Sequence, residues 1–141
     1  MNDIRQVLIP VDFHRHSDAL ADFAIGVANK LGARATLVHV VENIGAYTDY
    51  NPGAMDQVSE GLRGHGEKKM ADFLEGLKAK CPGCEGVVLL GDAADSIVAL
   101  AEERKADLII IGTHGAKGIE KVLLGSVAER VLKRAGCPTL V

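Results

Sequence analysis

Four glycines and a serine in the stretch 112–126 (GTHGAKGIEKVLLGS) have residue types and spacing that could grip an anion. Gly112, Gly115, Gly118 and Gly125 allow the backbone to come close to a ligand, which a Cβ would obstruct. Ser126 opens a helical pattern, and backbone N–H groups at a helix start attract negative charge. Lys117 and Lys121 add two cations within reach of a phosphate. Ser126 and Glu129 also have the S-x-x-E spacing of a capping box, so a purely local capping role stands beside phosphate binding. No G-K-[ST] follows the glycines, so this is not a Walker A loop. The GxGxxG of a dinucleotide fold is absent too, which disfavours nicotinamide.

Other reactive residues carry less. Asp12 comes directly after an apolar run and is the first acid placed to meet a ligand. His14 and His16 flank Arg15 and read either as a solvated turn or as a pH-sensitive pair. Cys81-Pro-Gly-Cys84 has redox or metal spacing, but it falls where a helix ends, whereas a thioredoxin-type pair opens one. Zinc would need two further ligands in a second pair. The expectation is a turn pair without chemistry, with Cys137 as the odd thiol.

These residues need a scaffold, and the hydrophobic pattern supplies one. Short apolar runs at 4–11, 35–41, 86–90, 108–112 and 139–141 read as strands. Pro10 marks where pairing of the first should stop. The second is apolar on both faces apart from His39, which fits a doubly covered parallel sheet. Between them lie helical patterns. The first is capped by Ser17, buries Leu20, Phe23, Ala24, Val27, Ala28 and Leu31, and stops at Gly32. A second spans 56–80, weakened by Gly61, Gly64 and Gly66 and secure at Met70, Phe73, Leu74 and Leu77. A third is capped by Asp92 or Asp95 and carries Ile97, Leu100 and Ala101, and a fourth covers 127–134. Residues 42–55, with both tyrosines and a Pro-Gly pair, read as a long loop.

Such alternation implies an α/β fold, a doubly wound five-stranded parallel sheet with helices on both faces, in one domain spanning 1–141. Ligands bind such sheets outside the carboxyl ends of the strands, where the winding reverses. Asp12, Val41, Gly91 and Gly112 leave those ends.

Composition narrows the classes. A chain with 48% hydrophobic and 25% charged residues has ordinary globular make-up. A net charge of −3 argues against nucleic acid or an anionic membrane as the main partner. No apolar run approaches the roughly 18 residues of a membrane span. The N-terminal apolar core stops at Asp12, unlike a secretory leader, so a cytoplasmic protein is expected.

Gly112-x-x-Gly115, nine residues and then Gly125-Ser126 resemble the G-2x-G-9x-G-[S/T] motif of the universal stress protein family. The surroundings resemble it as well: 7–13 (VLIPVDF), 37–40 (LVHV), 91–97 (GDAADSI), 106–112 (ADLIIIG), 124–128 (LGSVA) and 137–141 (CPTLV). The resemblance implies an adenine nucleotide alpha-hydrolase-like fold and an ATP site of the family's ATP-binding branch. By that resemblance Pro10, Val11 and Asp12 line the adenosine, with the Asp12 carboxylate near the ribose. The Val40 backbone reads the adenine edge, while Ile111, Gly112, His114 and Gly115 cover ribose and the first phosphates. Gly125, Ser126, Val127 and Ala128 hold the phosphates. Apart from the resemblance, Asp12 could hold a phosphate-bound Mg²⁺ through water, although one carboxylate is a thin metal site. The resemblance further implies a homodimer through the C-terminal strand and regulation of an unidentified protein partner. The chain departs from the family at His14-Arg-His16, where relatives often have Ser or Thr.

The expected function is an ATP-binding stress-response regulator whose nucleotide state orders loops, 42–55 foremost. His114 is the nearest candidate base, and no organised catalytic set accompanies it, so slow ATP hydrolysis at most is expected. Replacing Gly125 with valine should abolish binding while leaving the fold intact. Two alternatives compete. One is a nucleotide-free dimer working through protein contacts. The other is a receiver-type phospho-acceptor domain using Asp12, Asp92 and Thr113 at strand ends.

Overall fold

The computed structural model describes residues 3–14, 16–42, 52–113 and 125–141, and for 52–57 the backbone alone. The order is β1 (Gln6–Pro10), α1 (Ser17–Leu31), β2 (Arg34–Glu42), α2 (Pro52–Leu77), β3 (Glu85–Gly91), α3 (Ala93–Glu103), β4 (Leu108–Ile110), α4 (Ser126–Arg134) and β5 (Thr139–Leu140). The strands form one five-stranded parallel sheet in the order β3-β2-β1-β4-β5.

Because β1 is central, its side chains feed two cores. Val7, Ile9 and Val11 pack with Ala21, Ala24, Ile25 and Ala28 of α1 and Met70 and Leu77 of α2. Leu8 points to the other face and packs with Ile97 and Leu100 of α3 and Val131 of α4. Burial on both faces is why the run reads as continuously apolar. Pro10 ends the strand, but pairing is not lost equally on its two sides. With β4 it stops at Leu8, whereas with β2 it reaches Pro10, and the Val11 N–H still donates to Val38 at 2.8 Å.

Helix α1 meets the expected face in part: Ala24 and Ala28 are buried and Leu20 and Val27 pack against the core, but Phe23 and Leu31 do not. Its buried residues are Ser17, Ala21, Ala24, Ile25 and Ala28, while Phe23 is 58% and Leu31 46% exposed. The buried face is rotated toward Ala21 and Ile25, with Ala24 and Ala28 shared, because small side chains let the helix lie close on the sheet. Ser17 is its first residue, not its cap; the cap position is His16. Gly32 stops the helix as expected, with a left-handed φ of 66°.

Helix α2 begins at Pro52, so 52–55 are helical and not loop. Proline suits a first helical turn, whose N–H has no partner in any case. The helix runs unbroken through Gly61, Gly64 and Gly66. Its packing on the sheet needs glycine at two points. A Cβ on Gly66 would stand 3.1 Å from Val88 Cγ1 and 3.3 Å from Val41 Cγ2, and one on Gly86 would stand 2.5 Å from Met70 Cγ. Beyond the helix, Cys81 and Cys84 are joined as a disulfide. The turn pair is therefore covalent, contrary to the expectation of a pair without chemistry.

Candidate functional site

The winding reverses between β1 and β4: α1 leads from β1 toward β2 and β3, whereas β4 and β5 lie on the other side. A crevice therefore opens beyond the carboxyl ends of β1 and β4, which is where an open α/β sheet offers a ligand site. Val11–Asp12 form one lip, and Ile111–Gly112 the other.

At the first lip the chain turns sharply. Phe13 has a φ of 62°, a left-handed conformation that bulky residues seldom adopt. The turn folds Asp12 back toward the start of α1. Its Oδ1 accepts from the His14 N–H at 3.0 Å and the Ser17 hydroxyl at 2.9 Å, and neither bond uses Oδ2. Ser17 is itself buried, so the carboxylate is held by a fixed partner. Both backbone groups of Val11 are engaged: its N–H by Val38, and its carbonyl by His39 Nδ1 at 2.9 Å. With its side chain in the core as well, Val11 offers a ligand a wall and no new hydrogen bond from the N–H.

At the second lip, Ile111 is buried and donates its N–H to Leu140 at 2.9 Å, whereas Gly112 is exposed. Thr113 then meets the start of α4. A Cβ on Gly125 would lie 2.8 Å from the Thr113 carbonyl oxygen, so the two ends of 113–125 close up only because residue 125 is glycine. This corrects the expectation for Gly125→Val. Valine would collide with the protein's own backbone, so the local fold would not stay intact.

Gly125, not Ser126, occupies the cap position of α4, and it makes no side-chain cap bond. Ser126 is the first helical residue and is exposed. The capping-box reading therefore fails, and Glu129 instead pairs with Lys133 at 3.0 Å. The N–H groups of Ser126, Val127 and Ala128 have no intrahelical acceptor, as at every helix start. Ala128 is buried and Val127 half-buried, so both face a ligand with backbone alone.

Pro10 is buried at the end of β1. Val40 lies on β2, two residues beyond the partner of Pro10, and its side chain packs against the α3–α4 core. The crevice thus gathers Pro10, Val11, Asp12, Ile111, Gly112, Gly125 and Ser126, with Val40 one strand away. His114, Gly115, Gly118, Lys117 and Lys121 lie outside the described residues, as do 43–51 of the expected loop.

Asp92 has another task. It caps α3 by accepting from the Asp95 N–H at 2.9 Å, and it takes both Arg130 nitrogens at 3.3 and 3.0 Å. The Asp95 N–H, then Arg130, hold its carboxyl below the ordinary carboxylate range. Arg134 adds a contact to Asp95, so charge ties the first turn of α3 to α4. The receiver-type alternative is overturned here. A receiver sheet has the order 2-1-3-4-5, which sets its third strand beside its first. In this sheet β2 separates them, so Asp92 and Asp12 do not share a site.

A cavity of about 570 Å³ lies elsewhere, between α1 and α2, lined by Phe13, Asp22, Phe73 and Lys80 among others. It is an open groove in which Lys80 pairs with Asp22 at 2.8 Å. The strand-end crevice is the better candidate, because backbone donors and a fixed carboxylate converge on it. Sequence reasoning missed Phe13 and His39. Nothing in a phenylalanine signals a positive φ, whereas a lone histidine in an apolar strand was visible and merited a partner.

The family model described as the Universal stress protein family matches residues 3–141. A universal stress protein of Methanocaldococcus jannaschii is 38% identical over 146 residues, covering 99% of this chain and 82% of that one. Among solved structures, a universal stress protein from Lactobacillus plantarum superposes with a TM-score of 0.86 at 21% identity, covering 100% of this chain and 99% of the other. The universal stress protein from Archaeoglobus fulgidus in complex with dAMP has a TM-score of 0.64 at 21% identity, covering 99% and 98%.

Proposed function

Because the chain belongs to the universal stress protein family, we propose that it is a cytoplasmic, ATP-binding regulatory protein. The nucleotide lies in the crevice between the ends of β1 and β4. The observation that carries this reading is the closure of Thr113 on Gly125 beside the fixed Asp12 carboxylate. That closure aims the first N–H groups of α4 at the mouth of the crevice, where phosphate oxygens accept them and the helix dipole adds to the attraction. The dAMP complex of the Archaeoglobus fulgidus protein supports adenine as the base.

In this reading Asp12 accepts from the ribose hydroxyls, and the Val40 backbone reads the adenine edge. Pro10 and Val11 form the wall, and Ile111, Gly112, His114 and Gly115 cover ribose and the first phosphates. Gly125, Ser126, Val127 and Ala128 hold the remaining phosphates, and Mg²⁺ would be shared with Asp12 through water. ATP is held here and turned over slowly at most. Its presence orders the surrounding segments and so controls contact with a protein partner. Exposed Leu140 on the edge strand β5, with exposed Val141 after it, supports a homodimer through β5. Mass spectrometry of nucleotide released from protein purified without added ligand, with calorimetric titration of ATP and GTP, tests the reading. Copurifying adenine nucleotide and a preference for ATP are expected. Equal heats for ATP and GTP, or none, would overturn it.

A further inference from the structure

His39 is the ionisable residue amid the apolar run Leu37–Val41 of β2, and it stands outside the set of residues that would touch the nucleotide. It lies one residue past Val38, the partner of Pro10, so it stands beside Val11. Its Nδ1 is 2.9 Å from the Val11 carbonyl oxygen. A carbonyl only accepts, so Nδ1 carries the proton, and in the neutral ring Nε2 is the unprotonated nitrogen. The ring is held on its other sides by two elements. Phe13 packs on it with centroids 4.5 Å apart, and Phe13 in turn meets Phe73 of α2 edge-on at 5.5 Å. Helix α2 reaches the ring's Cδ2 at Gly66, where an added Cβ would be 3.7 Å away.

One imidazole on β2 therefore bonds the end of β1 and packs on the turn after it, and Phe13 carries the contact on to Phe73 of α2. The bond it makes fixes the residue immediately before Asp12, and the ring it stacks on belongs to the residue immediately after. We propose that His39 is the positioning residue of the nucleotide corner. By holding the Val11 carbonyl and seating Phe13 in its left-handed conformation, it sets where the Asp12 carboxylate meets the ribose. Through Phe73 and Phe13, displacement of α2 moves the same corner, which gives the helix a route to change nucleotide affinity. The inference rests on the nucleotide reading and deepens it by naming how that site is held.

Asparagine separates positioning from bulk, because its Nδ2–H₂ occupies nearly the place of the histidine Nδ1–H, whereas leucine fills similar space without a donor. ATP affinity is measured by calorimetry on the wild type, His39→Asn and His39→Leu, at a temperature where circular dichroism shows each fully folded. Loss of one intramolecular hydrogen bond to a carbonyl predicts about three- to tenfold weaker binding for His39→Leu and near-wild-type binding for His39→Asn. A role in stability alone would lower both melting points and leave the affinity of folded protein unchanged. That result, or equal weakening in both variants, overturns the proposal. Should His39→Leu not fold, the ¹⁵N spectrum of the wild-type imidazole decides. The Nδ1–H tautomer, with a shift on adding ATP, is the expected result; the Nε2–H tautomer or an ATP-insensitive ring refutes it. A wild type that binds no nucleotide removes the underlying reading, whereas a binding wild type with an indifferent His39→Leu removes this inference only.

Discussion

Three glycines of α2 differ only in what stands over them, so alanine at each measures the packing of the helix on the sheet. At Gly61 and Gly64 nothing lies within 4 Å of an added Cβ, and both are exposed. Alanine there gains helix propensity and restricts the unfolded chain, stabilising by about 0.5–1 kcal/mol at each site. At Gly66 the same gain is opposed, because the new methyl would press Val88 Cγ1 at 3.1 Å and Val41 Cγ2 at 3.3 Å. Both neighbours are β-branched and stiff at χ1, so they yield by moving backbone. Overpacking of this kind costs about 1–3 kcal/mol, so Gly66→Ala should be neutral to about 2 kcal/mol destabilising. Urea unfolding monitored by circular dichroism gives all three values under one protocol. If Gly66→Ala stabilises as much as Gly64→Ala, α2 does not lie on β2 and β3 as described.

The packing and charges lead to three further outcomes. On α1, Ile25→Ala should cost about 2–4 kcal/mol, because Ile25 is buried, whereas Phe23→Ser should stay within about 0.5 kcal/mol, measured by the same denaturation. The Asp92 carboxyl is depressed in the folded protein, so its stabilisation is full above the ordinary carboxylate pKa and is lost as pH falls through the lower folded value. Asp92→Asn should therefore flatten the wild type's loss of melting temperature on acidification below about pH 4, the ordinary carboxylate range. Reducing the Cys81–Cys84 disulfide should lower stability by about 2 kcal/mol, from the loop-closure entropy of a short loop. A melt with and without dithiothreitol reads this, and the Cys81→Ser/Cys84→Ser variant should not respond.

How much of this was legible in the sequence depends on whether the cause was local. Strands such as 35–41 announced themselves because burial on both faces demands unbroken apolar runs, and Gly32 stopped α1 where it stood. The face of α1 was legible only in part: Ala24 and Ala28 belong to it, but Phe23 and Leu31 repeat as regularly as the buried Ala21 and Ile25. Only the closeness of helix to sheet chooses between them. Ser126 lies one residue past the cap, which Gly125 takes where it passes close to Thr113, twelve residues away in sequence. Strand order is set by which edges meet and not by any local pattern, so the receiver alternative survived until β2 was found between β1 and β3. His39 was visible as an oddity, but its partner depends on the β1–β2 register.

The central claim is that ATP sits where the ends of β1 and β4 face the start of α4. Amide hydrogen exchange with and without ATP reads that placement residue by residue. Slowed exchange at Ser126, Val127 and Ala128 and around Asp12–His14 is predicted. Unchanged rates there, or protection confined to the α1–α2 groove at Asp22, Phe73 and Lys80, would contradict it.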